Sequence, residues 1–218
     1  MSDVRIVFFD LDDTLYTNSS GLFVEVGQRI ESWTAQALGI SLEEARALRH
    51  RYYTTYGTTM AGLLREHPHV DIDSYLTYVH DVDVSQYLEP HPELQAMLAS
   101  LAARKAVFTN SIADWAERVT RRLGVREYFE AIYDVRAVDY RSKPDPHAYR
   151  QVLETVSLPG EACVMLDDQP AYLRGASAHG MRTILVRADG QPGEGVDYAV
   201  PTVVEAEPVL RRLLANGA

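Results

Sequence analysis

Short apolar runs alternate with amphipathic stretches along most of this chain. The apolar runs lie at 4–9, 105–109, 131–133, 162–166 and 183–186. Several of them are apolar at consecutive positions, as expected of strands that a parallel sheet buries on both faces. The amphipathic stretches have the spacing of helices and lie at 93–103, 112–123, 146–156, 170–179 and 202–215. This alternation predicts an α/β fold in which helices cover a parallel sheet.

Residues 17–89 break this alternation because they contain helical patterns and no convincing buried strand. The four helical segments lie at 22–38, 42–56, 58–66 and 72–80. Ser41 and Glu44 have the spacing of a capping box that opens the second segment. Two prolines in 88–92 predict a linker that returns the chain to the sheet. The pattern therefore predicts a core of 1–16 and 90–218, an all-helical insertion at 17–89, and hinges near 15–20 and 87–92.

The composition is that of a globular protein, since 46% of the 218 residues are hydrophobic and 24% are charged. No stretch reaches the roughly 18 apolar residues that a membrane helix needs, so we expect no membrane association. The single cysteine, Cys163, cannot form an internal disulfide, which favours a cytoplasmic location. A net charge of −10 argues against general nucleic-acid binding. The oligomeric state is left open.

Acids, hydroxyl groups and a lysine follow four of the predicted strands. Ligands of an open parallel sheet bind outside the carboxyl ends of its strands, so we expect these side chains to meet at one edge. The residues in question are Asp10, Asp12 and Asp13 after the first strand, Thr109, Asn110 and Ser111 after the second, Lys143 after the third, and Asp167 and Asp168 after the fourth. Asp13 is interpreted as a turn former.

This set of side chains favours phosphoryl transfer assisted by a metal ion. Asp10 together with Asp167 and Asp168 would form an all-oxygen site of the kind that holds Mg²⁺, whereas no His or Cys spacing suggests Zn²⁺. Asp10 is the candidate nucleophile, and Asp12 could protonate the leaving oxygen and later activate water. Thr109, Ser111 and nearby backbone N–H groups could hold phosphoryl oxygens, and Lys143 could neutralise their charge.

The ordered set resembles the four motifs of the haloacid dehalogenase superfamily. The motifs are Asp10-Leu11-Asp12-Asp13-Thr14, then Thr109, then Lys143-Pro144, and finally Asp167-Asp168. The resemblance implies Mg²⁺-dependent hydrolysis of a phosphate ester on a Rossmann-like core, with the insertion as the helical cap of the first subclass. It also implies a metal held by Asp10, by the backbone carbonyl of Asp12 and by the acidic pair, with Asp168 in direct contact and Asp167 acting through water.

A finer resemblance points to the pyrimidine 5′-nucleotidase branch of that superfamily. It rests on DLDDTLY at 10–16 and on RYYTTYGTT at 51–59. Tyr52 and Tyr56 could stack on a base or bond a sugar. The residues expected to contact a small phosphorylated substrate are therefore Leu11, Asp12, Asn110, Ser111, Lys143, Tyr52 and Tyr56.

Three alternatives remain at this stage. A phosphosugar phosphatase would use the same core, and so would a phosphomutase, although helical-capped mutases typically read DLDGV where this chain reads DLDDT. A receiver domain also combines acids, a Thr or Ser and a Lys on a parallel sheet. Its acidic pair comes first, however, whereas here Lys143 precedes the pair at 167–168.

Overall fold

The computed structural model describes residues 3–17 and 21–215. The strands are β1 (Ile6–Phe9), β2 (Arg104–Phe108), β3 (Ala131–Tyr133), β4 (Cys163–Asp167), β5 (Arg182–Val186) and β6 (Tyr198–Val200). The helices are α1 (Leu22–Leu38), α2 (Leu42–Tyr56), α3 (Thr59–Glu66), α4 (Ile72–Val79), α5 (Pro92–Ser100), α6 (Ala113–Leu123), α7 (Pro146–Val156), α8 (Pro170–Ala178) and α9 (Glu207–Ala215). The predicted α/β fold with a parallel sheet is confirmed.

The six strands form one sheet in the order β3-β2-β1-β4-β5-β6, and all neighbours pair in parallel. Phe9, the last residue of β1, is level with Val107 of β2 and Leu166 of β4. The strand order runs from β1 to β2 and β3 on one side and from β4 to β6 on the other. The carboxyl end of β1 is therefore next to the switch point at which such sheets bind ligands. Asp10 follows β1 at this point.

β1 is fully buried because side chains on its two faces meet different partners. Ile6 and Phe8 belong to an apolar cluster that includes residues of β2, β4, α7 and α8. Phe9 points to the opposite face, where its ring lies 5.7 Å from that of Phe129. A strand fixed on both faces gives the residue that follows it a defined position.

Among the differences from the sequence prediction, two concern the C-terminal part of the chain. The three-residue strand β6 was not predicted, because it is short and follows a glycine-rich loop. The last helix begins at Glu207, and a short 3₁₀ turn at Val204–Ala206 precedes it. Part of the predicted hinge at 15–20, including Asn18, lies outside the described residues. No helix in the described parts of the chain has both the length and the hydropathy of a membrane span.

The chain divides into two compact units, Met1–Thr17 with Leu88–Ala218 and Asn18–Tyr87. The second unit contains α1 to α4 and none of the six strands. The capping box at its second helix is confirmed, since the Ser41 hydroxyl accepts the Glu44 N–H and the Glu44 carboxylate accepts the Ser41 N–H. The first unit contains the sheet and α5 to α9.

Tyr52 is the largest fully buried side chain of the helical unit, with 0% of its surface exposed. Its ring packs against the backbone of Gly62 in α3, where an added Cβ would lie 2.1 Å from the ring. Its hydroxyl donates a hydrogen bond to Glu66 at 3.0 Å. The absence of a side chain at Gly62 therefore lets α2 and α3 approach each other at this point.

We expect the Gly62→Ala substitution to destabilise the protein. Alanine favours a helix by about 1 kcal/mol over glycine, but overpacking against a buried ring costs about 1–3 kcal/mol. A urea titration followed by circular dichroism should show a lower free energy of unfolding. Gly193→Ala is the matched control, since its added Cβ would meet nothing within 4 Å. Equal stability of wild type and Gly62→Ala would contradict this account of the packing.

Candidate active site

Three buried acids meet at the carboxyl edge of the sheet. Asp10 follows β1, Asp167 is the last residue of β4, and Asp168 comes directly after it. Their exposed fractions are 6%, 0% and 7%, respectively. One carboxylate oxygen from each lies within 4.8 Å of the other two. This is the juxtaposition that the order of strand ends predicts.

Lys143 is the cation of this cluster, and it is completely buried. Its ammonium donates hydrogen bonds to Asp10 Oδ1 at 2.8 Å, to Asp167 Oδ2 at 2.7 Å and to the Phe108 carbonyl at 2.9 Å. The rings of Phe108 and Tyr172 lie 5.0 and 5.3 Å from its nitrogen. An ammonium has three N–H donors, so all three are used here.

The electrostatics of the cluster are unbalanced because three carboxylates share one ammonium. Burial raises the pKa of Asp10 well above its usual value, Lys143 opposes this shift, and the two neighbouring acids add to it. Burial also raises the pKa of Asp167 against the effect of Lys143. Burial and then repulsion from Asp167 raise the pKa of Asp168 to about 7. Burial alone would lower the pKa of Lys143, but Asp10 and Asp167 raise it overall.

Asn110 holds the backbone of Lys143 in place. Its side-chain amide donates to the Lys143 carbonyl at 3.0 Å, and its Oδ1 accepts the Lys143 N–H at 2.8 Å. The sequence analysis predicted Asn110 as a substrate contact. In the structure its Oδ1 and one of its two amide N–H donors are engaged with the Lys143 backbone, which leaves one amide donor for such a contact.

Thr109 and Ser111 occupy the loop after β2. Thr109 is 1% exposed, and its hydroxyl oxygen accepts the Ser111 N–H at 3.0 Å. The hydrogen of that hydroxyl has no acceptor in the hydrogen bonds found among the described residues. Thr109 is therefore placed with an available donor at the edge where the acids meet.

Asp12 receives three hydrogen bonds that fix its carboxylate. Tyr16 and Trp115 both donate to Oδ1, at 2.6 and 2.9 Å. Ser111 donates to Oδ2 at 2.6 Å. Burial and then the charge of Asp12 raise the pKa of Tyr16 well above its usual value, so its hydroxyl keeps its proton. The sequence analysis missed Trp115, whose helical pattern predicts burial but gives no sign of a polar partner.

Leu11 and Asp13, two further residues of the first motif, lie in the segment that directly follows β1. Leu11 is 0% exposed, and its carbonyl accepts the Leu15 N–H at 3.0 Å. The side chain of Leu11 thus presents no surface to a ligand in this structure, although the sequence analysis predicted it as a substrate contact. Asp13 has a φ of 61°, in the left-handed region, which agrees with its interpretation as a turn former.

Tyr52 and Tyr56, predicted as substrate contacts, converge on Glu66 within the helical unit. Both hydroxyls donate to its carboxylate, at 3.0 and 2.9 Å. Arg51 forms a bidentate ion pair with the same carboxylate, at 2.8 and 2.7 Å. Hydrogen bonds from Arg51 and the tyrosines lower the pKa of Glu66 to about 2. Tyr52 is buried and presents no surface to a ligand, whereas Tyr56 is partly exposed. Glu66 was missed because nothing near it in the sequence marks it as a shared acceptor.

The chain belongs to the haloacid dehalogenase-like hydrolase family, whose profile matches residues 4–180. The superfamily that the four motifs predict is thereby confirmed. A crystal structure described as a HAD phosphatase from Thermococcus onnurineus has the same fold, with a TM-score of 0.65 and 19% identity. That comparison covers 95% of this chain and 98% of the other.

Two relatives show how far sequence similarity extends. The chain is 29% identical over 196 residues to Phosphate metabolism protein 8 of Saccharomyces cerevisiae, and the match covers 83% of this chain but only 61% of that protein. It is 26% identical over 231 residues to Glyceraldehyde 3-phosphate phosphatase of Methanocaldococcus jannaschii, covering 96% of this chain and 98% of the relative. The second match is nearly end to end.

We expect Asn110→Ala to destabilise the protein, because it leaves the buried N–H and C=O of Lys143 without their partners. Such losses cost about 1–3 kcal/mol per buried group. Chemical denaturation would measure the change in the free energy of unfolding. Gln86→Ala is a suitable control, since it removes an exposed side-chain amide that bonds to the Asp83 side chain. A loss no larger than that of the control would show that the Asn110 contacts do not hold Lys143.

Proposed function

We propose that this protein is a Mg²⁺-dependent phosphomonoesterase that forms an aspartyl-phosphate on Asp10. The observation that carries the proposal is the buried cluster in which Lys143 bonds two of three adjacent carboxylates. Three carboxylates and one ammonium leave two negative charges uncompensated when all four groups are ionised. A divalent cation would compensate them, and the family and its named phosphatases supply the reaction class.

The residues present fit Mg²⁺ because every candidate ligand atom in the cluster is a carboxylate oxygen. Asp10 and Asp168 would hold the ion directly, Asp167 would support it, and the resemblance adds the backbone carbonyl of Asp12. Both oxygens of Asp167 already accept a hydrogen bond, Oδ2 from Lys143 and Oδ1 from the Gln169 N–H, which suits a supporting role. When bound, the ion would act as a Lewis acid on a phosphoryl oxygen.

The chain supplies the groups for both halves of the reaction. Asp10 attacks phosphorus, a new O–P bond forms, and the bond to the ester oxygen breaks while Asp12 donates a proton to that oxygen. Asp12 then accepts a proton from water as the water attacks phosphorus and restores the Asp10 carboxylate. The ammonium of Lys143, 2.8 Å from Asp10, favours the ionised nucleophile. The hydroxyl of Thr109 donates a hydrogen bond to a phosphoryl oxygen.

For the substrate, we propose a pyrimidine nucleoside 5′-monophosphate. This rests on the resemblance of DLDDTLY at 10–16 and of RYYTTYGTT at 51–59 to the pyrimidine 5′-nucleotidase branch. Of the two tyrosines predicted to contact substrate, the partly exposed Tyr56 is the one whose ring could still receive a base. We also propose that the helical unit containing it acts as a cap that selects the leaving group.

A phosphosugar is the second candidate, and a specific observation favours it. The relative that matches nearly end to end is named Glyceraldehyde 3-phosphate phosphatase. The chemistry at Asp10 and Asp12 would be the same, and only the leaving group would differ. A phosphomutase would also use this core, but it would return a phosphorylated isomer instead of free phosphate.

The proposal predicts Mg²⁺-dependent phosphate release that Asp10→Asn abolishes. The panel would contain UMP, CMP, dTMP, AMP, GMP, glyceraldehyde 3-phosphate, phosphoglycolate and p-nitrophenyl phosphate, each measured with Mg²⁺ and with a chelator. Wild type should release phosphate fastest from UMP or CMP, and Asp10→Asn should release none, since an amide cannot serve as the nucleophile.

Four other results would each contradict part of the proposal. Fastest release from glyceraldehyde 3-phosphate would support the second candidate and contradict the nucleotide proposal. Wild-type turnover by a folded Asp10→Asn variant would contradict the aspartyl-phosphate. An isomerised product without free phosphate would identify a mutase, and no reaction with any ester would refute the proposed function.

The metal proposal predicts that one substitution stabilises the protein without Mg²⁺ and also abolishes its stabilisation by Mg²⁺. Asp168→Asn removes a like charge beside Asp167, so without Mg²⁺ it should raise the melting temperature. Adding Mg²⁺ should raise the melting temperature of wild type, because binding to the folded state stabilises it, and should leave Asp168→Asn unchanged. Asp189→Asn, at an exposed acid, should respond to Mg²⁺ as wild type does. Equal Mg²⁺ shifts in all three proteins would place the ion elsewhere.

A further inference from the structure

The hydrogen bonds to Asp12 are distributed unequally between its two oxygens. Among residues 3–17 and 21–215, Oδ1 accepts from Tyr16 and from Trp115, while Oδ2 accepts from Ser111 alone. Each carboxylate oxygen offers about two lone pairs. Both lone pairs of Oδ1 are therefore engaged, and Oδ2 retains one. The donors come from three places in the same unit, namely the turn after β1, the loop after β2 and helix α6.

We propose that Tyr16 and Trp115 are positioning residues that anchor Oδ1, so that Oδ2 is the oxygen that gives and takes the proton. The inference rests on the proposed function, in which Asp12 is the general acid and base. It adds which atom of Asp12 reacts and which side chains determine that choice.

Trp115 suits this task because an indole N–H can only donate a hydrogen bond. It requires an accepting oxygen throughout the reaction. Oδ1 remains an acceptor when Asp12 is ionised, and also when Asp12 carries its proton on Oδ2. A proton on Oδ1 would instead oppose the indole N–H. The contact is thus compatible with both states of Asp12, provided that the proton is on Oδ2.

Trp115 is also held firmly enough to orient its partner. It is 1% exposed, and the guanidinium of Arg118 lies 5.4 Å from its ring. The start of its helix is fixed by a hydrogen bond from the Ala113 N–H to Asp134, at 2.9 Å. A buried ring on a fixed helix restricts the Asp12 rotamer, and the second hydrogen bond to Oδ1, from Tyr16, restricts it further.

Ser111 differs from these two donors because a hydroxyl can both donate and accept. It donates to an ionised Oδ2, and by rotating it can accept from a protonated Oδ2. Its bond at 2.6 Å therefore does not prevent proton transfer at that oxygen. The three contacts form one arrangement, with a fixed side at Oδ1 and an adaptable side at Oδ2.

A purely structural role of these hydrogen bonds makes a different prediction. Loss of a structural contact lowers the amount or stability of active enzyme, and it lowers the rate with every substrate by the same factor. Loss of orientation at the proton donor lowers the rate only where the leaving group needs a proton. An acidic leaving group such as p-nitrophenol departs without one, whereas phenol and alcohols do not.

The test compares Trp115→Phe and Tyr16→Phe on p-nitrophenyl phosphate, phenyl phosphate and an alkyl phosphate. The quantity is kcat/KM with Mg²⁺ present, because it reports the steps up to departure of the leaving group. Each variant should lose about 10-fold on the phenyl and alkyl esters and about 2-fold or less on the nitrophenyl ester, a part of the roughly 10²- to 10⁴-fold that general acid–base catalysis contributes. Asp12→Asn should show the same pattern with the largest difference.

A matched control separates the effect from the substitution itself. Tyr198→Phe changes a tyrosine of β6, in the same unit as Tyr16 and Trp115. This control should keep the wild-type dependence on leaving group. Circular dichroism and a thermal melt would verify that each variant is folded at the assay temperature.

The outcomes distinguish this inference from the proposed function. If wild type hydrolyses the esters and both Trp115→Phe and Tyr16→Phe keep its dependence on leaving group, the positioning role is refuted and the phosphatase remains. An equal loss on all three esters would likewise show a structural role only. If wild type hydrolyses neither these esters nor the nucleotides and sugar phosphates of the panel above, the proposed function fails, and this inference fails with it.

Discussion

The buried ammonium of Lys143 is the interaction on which the rest of this site depends. A charge without solvent is tolerated only when it is paired and hydrogen-bonded, and Lys143 is 0% exposed. Its three hydrogen bonds end on Asp10 after β1, on the carbonyl of Phe108 at the end of β2, and on Asp167 at the end of β4. Each of these three hydrogen bonds satisfies one donor of an ammonium that has no contact with solvent. One side chain thus fixes the relative positions of three strand ends.

The same interaction leaves the site with too much negative charge. Lys143 bonds two carboxylates, and Asp168 lies beside them without a cation of its own among the described residues. The raised pKa of all three acids has burial as its first cause and their mutual repulsion as a further one for Asp10 and Asp168. A phosphate ester would add further negative charge. The arrangement is therefore poor for stability and well suited to a divalent cation, as expected where function and stability compete.

The sequence predicts the parts of this structure that follow from chain order. Periodicity locates the strands, and parallel pairing brings Asp10, Lys143 and Asp167 together from distant positions. The contacts it does not predict depend on which side chains meet after packing. The spacing of α6 indicates that Trp115 is buried, but not that its indole reaches Asp12. In the same way, the sequence shows Asn110 as a polar residue after a strand. It does not show that the Asn110 amide bonds the backbone of Lys143, because only folding brings the two residues together.

Asp10 and Asp12 are two residues apart, and their surroundings differ in kind. Asp10 bonds the ammonium of Lys143, which opposes the rise in pKa that burial causes and so supports the proposed use of Asp10 as a nucleophile. In the described part of the chain, the donors to Asp12 are all neutral, namely a phenol, a hydroxyl and an indole. Neutral donors fix the direction of a carboxylate without requiring that it stay charged, which is what a group that alternates between acid and base needs. Two carboxylates from one short motif can thus take different roles because of the partners that the fold gives them.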